Sequence, residues 1–151
     1  MKNMPPKSQI TALKTEAEWL NAFPIAQALW PELERPTYLQ TLASMVKTGY
    51  ILFGLHVKGE LVAIAGCQEI QLLARGKILW LFDMATHPNK QGAGFGSQLL
   101  AFLQQYAKSN GYSRLLLHTS AGRTATLAFY RSRLGEPFGV VFRAVTGNPN
   151  A

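Results

Sequence analysis

The run Ile78-Leu79-Trp80-Leu81-Phe82-Asp83-Met84-Ala85-Thr86-His87-Pro88-Asn89-Lys90-Gln91-Gly92-Ala93-Gly94-Phe95-Gly96-Ser97 dictates the architecture of this chain. Its first part is apolar and reads as a buried strand. Its second part is a turn with glycines at 92, 94 and 96, and beyond it Leu99, Leu103, Tyr106 and Ala107 recur at helical spacing until Gly111 stops the helix behind Lys108. The first backbone N–H groups of such a helix have no partner within it, and the helix dipole adds to their positive end. A strand, a glycine turn and a helix in that order therefore make a place for an anion.

Two common phosphate loops do not fit. A dinucleotide fingerprint, G-x-G-x-x-G, counted from Gly92 meets Ser97 at its sixth position, and no clear ribose-binding acid follows about twenty residues on. A P-loop needs Gly-Lys-Ser/Thr, and no lysine follows Gly94 or Gly96.

Composition sets outer limits. The chain has 151 residues, 48% of them hydrophobic, which suits one compact domain. A net charge of +7, from 15 Lys plus Arg against 8 Asp plus Glu, favours anionic partners without choosing among coenzyme phosphates, acidic substrates and nucleic acid. No run approaches the roughly 20 apolar residues of a membrane span, and Met1-Lys2-Asn3-Met4-Pro5-Pro6 leads into no signal-like apolar region, so a cytoplasmic protein is expected. Cys67 is the single cysteine. It excludes an intramolecular disulfide, and its place in Leu61-Val62-Ala63-Ile64-Ala65-Gly66-Cys67 reads as a packed thiol.

Outward from the glycine turn, the pattern predicts a strand over 9–13, a helix over 16–29 that Pro24 bends or splits, and a helix over 36–47. Strands over 50–57 and 61–72 follow, joined through Lys58-Gly59-Glu60, a hairpin signal. After the turn Ala74-Arg75-Gly76-Lys77 and the strand over 78–86, a strand over 113–119, a helix over 124–133 and a last strand over 138–145 complete the chain. Residues 1–8 and 146–151 read as flexible tails around one domain spanning 9–145.

Gln91-x-x-Gly94-x-Gly96 resembles the coenzyme A pyrophosphate loop of the GNAT superfamily of N-acetyltransferases, and Thr86-His87-Pro88 stands where that family has Val-x-Pro. Arg123-Thr124-Ala125-Thr126-Leu127-Ala128-Phe129-Tyr130-Arg131-Ser132-Arg133-Leu134-Gly135 is similar to the family's later motif. Arg123 replaces its commonest Asn, Thr126 its Ala, and Leu134-Gly135-Glu136-Pro137-Phe138 stretches its Gly-Phe. The resemblance covers about residues 9 to 145 and implies an α+β fold with a mixed sheet, in the order β-α-α-β-β-β-α-β-α-β.

The resemblance also implies acetyl-CoA as co-substrate, a primary amine as acceptor, direct attack in a ternary complex, and no metal. Pantetheine would lie along Met84, Ala85 and Thr86 like an added strand, with a backbone N–H near Met84 or Ala85 polarising the thioester carbonyl. Gln91, Gly92, Ala93, Gly94, Phe95, Gly96 and Ser97 would hold the pyrophosphate, with Lys90 and Arg123 at its rim. Tyr130 matches the family's general acid: a phenol with a reference pKa near 10 can protonate a thiolate whose thiol titrates near 8.5. His118 leads as general base, since an unperturbed pKa near 6.5 suits neutral pH. Asp83, which needs a partner in its apolar run, and Glu69 on the adjacent strand follow.

The acceptor would meet the first two helices and their loop, where Trp19, Trp30, Glu32, Glu34 and Tyr38 are candidates. Small amines, amino acids and peptide N-termini all stay open, as does a homodimer. A nucleic-acid-directed protein is the weaker reading, because the basic residues form no compact patch with interleaved aromatics. An acyl-CoA sensor without turnover would need the loop but not Tyr130.

Overall fold

A computed structural model of the chain describes residues 8–148. The outer parts of both expected tails lie outside the described residues, and Ser8 already opens the first strand. Two compact units divide the chain after Leu117. The first holds β1 (Ser8–Ala12), α1 (Glu16–Leu29), α2 (Arg35–Lys47), β2 (Ile51–Val57), β3 (Glu60–Leu72), β4 (Gly76–Thr86), a 3-10 turn (Pro88–Lys90), α3 (Phe95–Ser109) and β5 (Leu115–Leu117). The second holds α4 (Thr124–Leu134).

The sheet runs β1-β2-β3-β4-β5. Its first four strands are antiparallel neighbours and β5 is parallel to β4. Parallel neighbours need a crossover, which α3 supplies. Between β2 and β3 the chain reverses through Lys58 (φ 52) and Gly59 (φ 81). Positive φ at both central residues matches the strands' twist and sets the hairpin's register.

Leu52 and Phe53 show how the sheet divides its faces. Leu52 joins the core formed with Phe23 and Ile25 of α1 and Leu42 of α2. Phe53, its neighbour along the pleat, meets Phe102 and Tyr106 of α3 edge-on at 5.0 and 5.2 Å. Successive strand residues point to opposite faces, so α1 and α2 cover one side and α3 the other. Leu99, Leu100 and Leu103 are fully buried, each contributing about 1.5–3 kcal/mol.

Helix α1 begins at a reciprocal cap, in which Thr15 Oγ accepts from the Glu18 N–H at 3.2 Å while Glu18 Oε2 accepts from the Thr15 N–H at 2.9 Å. Pro24 does not split it. The missing N–H leaves the Leu20 carbonyl without its helical donor, and burial of Ala22, Phe23, Ile25 and Ala26 around the proline holds the helix together.

Two expectations are corrected. The strand expected over 113–119 is laddered only at Leu115–Leu117, because its register with β4 ends at Leu81. The strand expected over 138–145 does not form: none of the ladders among the described residues includes it. Phe138, Val140, Val141, Phe142 and Val145 are all exposed, Phe142 at 89%. β-branched and aromatic residues give a segment strand propensity, but a strand exists only with a neighbour to pair.

Candidate active site

Strand β4 positions the site. Its ladder with β3 pairs Gly66 with Asp83 but Cys67 with Leu81, so Phe82 is an extra residue on β4. Such a bulge re-aims the side chains beside it, and both Phe82 and Asp83 line one cavity of about 350 Å³. The ladder with β5 covers only Leu79–Leu81. Among the described residues, Asp83 to Thr86 are therefore paired in the sheet with β3 alone, and beyond Leu81 the other edge of β4 has no ladder partner.

Beyond Thr86 the chain turns through Pro88–Lys90, capped by His87, whose Nδ1 accepts from the Asn89 N–H at 3.2 Å. Gly94, at φ 83, is the residue before α3. Left-handed backbone there favours glycine, and it lets the chain enter the helix directly from the turn. The first helical hydrogen bond runs from the Gln98 N–H to the Gly94 carbonyl at 3.1 Å. Phe95 and Gly96 precede it and present their N–H groups at the positive end of the helix. Lys90 Nζ stands 3.8 Å from Glu60.

The cavity lies on the α1 and α2 side. Leu29, Leu33, Leu42 and Met45 line it from the helices and their loop, and Leu52 and Ile64 from the sheet. Trp30, Tyr38, Tyr50 and Phe82 add aromatic surface, and Asp83 is its one carboxylate. Tyr50 Oη donates to Asp83 Oδ2 at 2.8 Å. Burial, then the neighbouring Asp83, push the Tyr50 phenol far above its ordinary value, so it stays a donor. Gly66 makes this possible: a Cβ at that position would sit 1.6 Å from Tyr50 Oη.

Asp83 and Glu69, the two carboxylates among the candidate bases, lie apart. Glu69 is three residues past Gly66, which places it on the opposite face of β3 from Asp83. It lines a second cavity of about 340 Å³ with Tyr112, Gln68 and Thr48. Tyr112 Oη donates to Glu69 Oε2 at 3.2 Å, and Lys77 Nζ lies 3.6 Å from the same oxygen and 4.3 Å from the centre of the Tyr112 ring.

Of the candidate acceptor residues, Trp30 and Tyr38 line the first cavity. Trp19 braces the fold, its Nε1 donating to the Leu13 carbonyl at 2.9 Å and its own carbonyl accepting from Tyr38 Oη at 2.6 Å. Tyr50 and the apolar lining escape a reading of the sequence, in which Tyr50 merely begins a strand. Cys67 is buried, and burial pushes its thiol up to about 12, which leaves it un-ionised and inert.

In the second unit, His118 directly follows β5, Arg123 precedes α4, and Tyr130 lies within α4. Tyr130 is half-buried, and that burial raises its phenol. Its ring meets Phe129 edge-on at 5.2 Å. Among the described residues no three His, Cys, Asp or Glu side chains are grouped to hold a metal, and no helix is long and apolar enough to cross a membrane.

Comparison with known proteins agrees with this arrangement. A Bacillus subtilis (strain 168) protein described as the uncharacterized N-acetyltransferase YhdJ is 30% identical over 124 residues, 82% of this chain and 87% of its own. The structure of the aminoglycoside N-acetyltransferase AAC(6')-Iy in complex with CoA superposes with a TM-score of 0.80 at 15% identity, covering 97% of this chain and 100% of that one. The aminoglycoside acetyltransferase meta-AAC0020 from an uncultured soil metagenomic sample, in complex with sisomicin, does so at 0.79 and 15%, covering 92% and 95%. The model of the acetyltransferase (GNAT) family matches residues 15–135. The family match over most of the chain and the 30% identical relative place it: the chain belongs to the GNAT acetyltransferases and is an N-acetyltransferase.

Proposed function

We propose that the protein moves the acetyl group of acetyl-CoA to a primary amine by direct attack in a ternary complex. The open edge of β4 from Phe82 to Thr86, with the Asp83 cavity on one face and the glycine turn at its end, is the observation that carries this reading. Pantetheine amides pair with that edge at Met84, Ala85 and Thr86. The pyrophosphate sits against the turn from Gln91 to Ser97, and Arg123 adds positive charge to its binding, as the family resemblance implies. An N–H of Met84 or Ala85 takes the negative charge that develops on the thioester oxygen.

In the transfer step, the amine nitrogen bonds to the thioester carbonyl carbon, and the tetrahedral adduct collapses with cleavage of the C–S bond. The departing sulfur takes the phenolic proton of Tyr130, while the proton lost by the amine passes to His118, directly or through water. Asp83 holds the incoming ammonium, which gives up one proton to solvent to become the attacking amine; the second proton is the one that passes to His118, and Tyr130 regains its proton from solvent. Burial raises the Tyr130 phenol, so it carries its proton at neutral pH. Glu69, on the other face of the sheet, takes no part.

Calorimetric titration with acetyl-CoA, followed by an assay for free thiol on a panel of amines, tests the proposal. Gly96→Glu places a carboxylate at a helical position of α3 against the phosphates and abolishes acetyl-CoA binding in a folded protein. Tyr130→Phe lowers turnover roughly ten- to thousandfold with coenzyme affinity retained. His118→Ala also lowers turnover; an unchanged rate there assigns the proton to Asp83 or water. Coenzyme binding without thiol release on any amine would make the protein a sensor.

A further inference from the structure

Resting on the acetyl-transfer reading above, we infer that the amine held in the Asp83 cavity is an apolar monoamine, a single ammonium on an aryl or alkyl body. The charge inventory comes first. Asp83 is the one carboxylate lining the cavity, and among the described residues it has no ion-pair partner. One ammonium completes it. A second or third would be desolvated against Leu42, Met45 and Leu33, with no other carboxylate in the lining to meet it.

The hydrogen-bonding inventory points the same way. Both phenols at the cavity are already committed, Tyr38 Oη donating to the Trp19 carbonyl at 2.6 Å and Tyr50 Oη to Asp83 at 2.8 Å. Thr41, on the exposed side of α2, is the other hydroxyl in the lining. A polyhydroxylated amine would bury many donors and acceptors for which these walls offer too few partners.

Shape and surface favour an apolar body. At about 350 Å³ the cavity is near the small end of ligand sites, which run roughly 300–1,000 Å³. It has room for one ring on a short chain. Trp30 and Phe82 are 47% and 42% exposed in its lining, a large apolar area for a ligand to cover. The Tyr50 and Phe82 rings, 6.4 Å apart beside the Asp83 carboxylate, also suit an ammonium at that end. Asp83 is two residues from Ala85, so an amine held there is next to the strand edge assigned to the thioester.

The test uses the full chain loaded with CoA, titrated calorimetrically with 2-phenylethylamine, n-hexylamine, spermidine and sisomicin, and then assayed with acetyl-CoA for thiol release. Both monoamines are expected to bind at least tenfold more tightly than spermidine or sisomicin. Asp83→Asn should cost 2-phenylethylamine tenfold or more in affinity. Thr41→Glu, adding a second carboxylate at the rim, should narrow the gap by tightening spermidine. Preference for spermidine or sisomicin, or no binding of either monoamine to folded, CoA-loaded protein, overturns the inference, and turnover of sisomicin would do so while leaving acetyl transfer standing. Monoamine binding without thiol release supports the ligand class and sinks the transfer reading instead.

Discussion

Asp83 with Tyr50 and Glu69 with Tyr112 are the same pair of groups on opposite faces of one sheet. Each phenol donates to its carboxylate, at 2.8 and 3.2 Å, and each carboxylate lines a cavity of almost the same volume, about 350 and 340 Å³. Their surroundings differ. Glu69 has a cation, Lys77, at 3.6 Å, and both of those side chains are about 40% exposed. Asp83 has no such cation and looks onto leucine, methionine and aromatic rings beside an open strand edge. The difference teaches that neither a carboxylate nor a cavity identifies a site by itself. A charge left without a counter-ion in apolar surroundings does, because those surroundings favour a ligand that brings the missing charge.

Between the two cavities the widest contrast should come from neutralising each acid in turn. Asp83→Asn should lower kcat/KM for an amine about a hundredfold, within the range for removing one partner of a desolvated charge pair. Glu69→Gln should stay within about twofold, since exposed pairs of this kind contribute little. Equal losses in steady-state kinetics would erase the distinction between the two cavities.

Gly66→Ala acts next, through Tyr50. The added methyl would sit 1.6 Å from Tyr50 Oη, forcing the phenol off Asp83. Overpacking of this order costs about 1–3 kcal/mol, read by urea unfolding, and KM for the amine should rise with it. A stability unchanged from wild type would mean that Tyr50 has room to move.

Alkaline pH separates the two phenols more finely. Tyr50 is raised by burial and by Asp83, and Tyr112 is pushed up to about 12 by burial and by its bond to Glu69. In the unfolded chain both titrate near 10. Above that pH the unfolded state binds fewer protons than the folded one, so their stabilisation is complete below about 10 and is lost as pH climbs through the folded values. Either Tyr50→Phe or Tyr112→Phe should flatten the fall in stability between about pH 10 and 12, and only as Tyr112 begins to titrate in the folded state, near 12, should its contribution drop below that of Tyr50. A fall in stability above pH 10 that Tyr50→Phe leaves unchanged would mean that the Tyr50 phenol ionises as readily in the folded chain as in the unfolded one. The smallest effect belongs to Lys77→Met, which should cost no more than about 1 kcal/mol and leave thiol release unaltered.

How much of this was legible follows the range of each interaction. The bounds of α1 come through because Thr15 and Glu18 form a cap within one turn, and the β2–β3 hairpin because Lys58-Gly59 adopts the positive φ values a tight reversal needs. Asp83 stood out as an acid in an apolar run. Its partner did not, since Tyr50 lies 33 residues away and the hydrogen bond depends on a glycine in a third segment. The strand expected over 138–145 has the composition of a strand and no ladder, which composition cannot supply.

The sequence by itself determined the glycine turn, the helix that follows it and the order of elements as far as α4, because periodicity, caps and turn chemistry act over a few neighbouring residues. The tertiary structure alone decided that Phe82 is the extra residue of a bulge, that β4 parts from β5 after Leu81, and that Asp83 and Glu69 face opposite sides. Those are matters of register between strands far apart in the chain. A shift of one residue in register reverses every side chain, and nothing local to either strand records it.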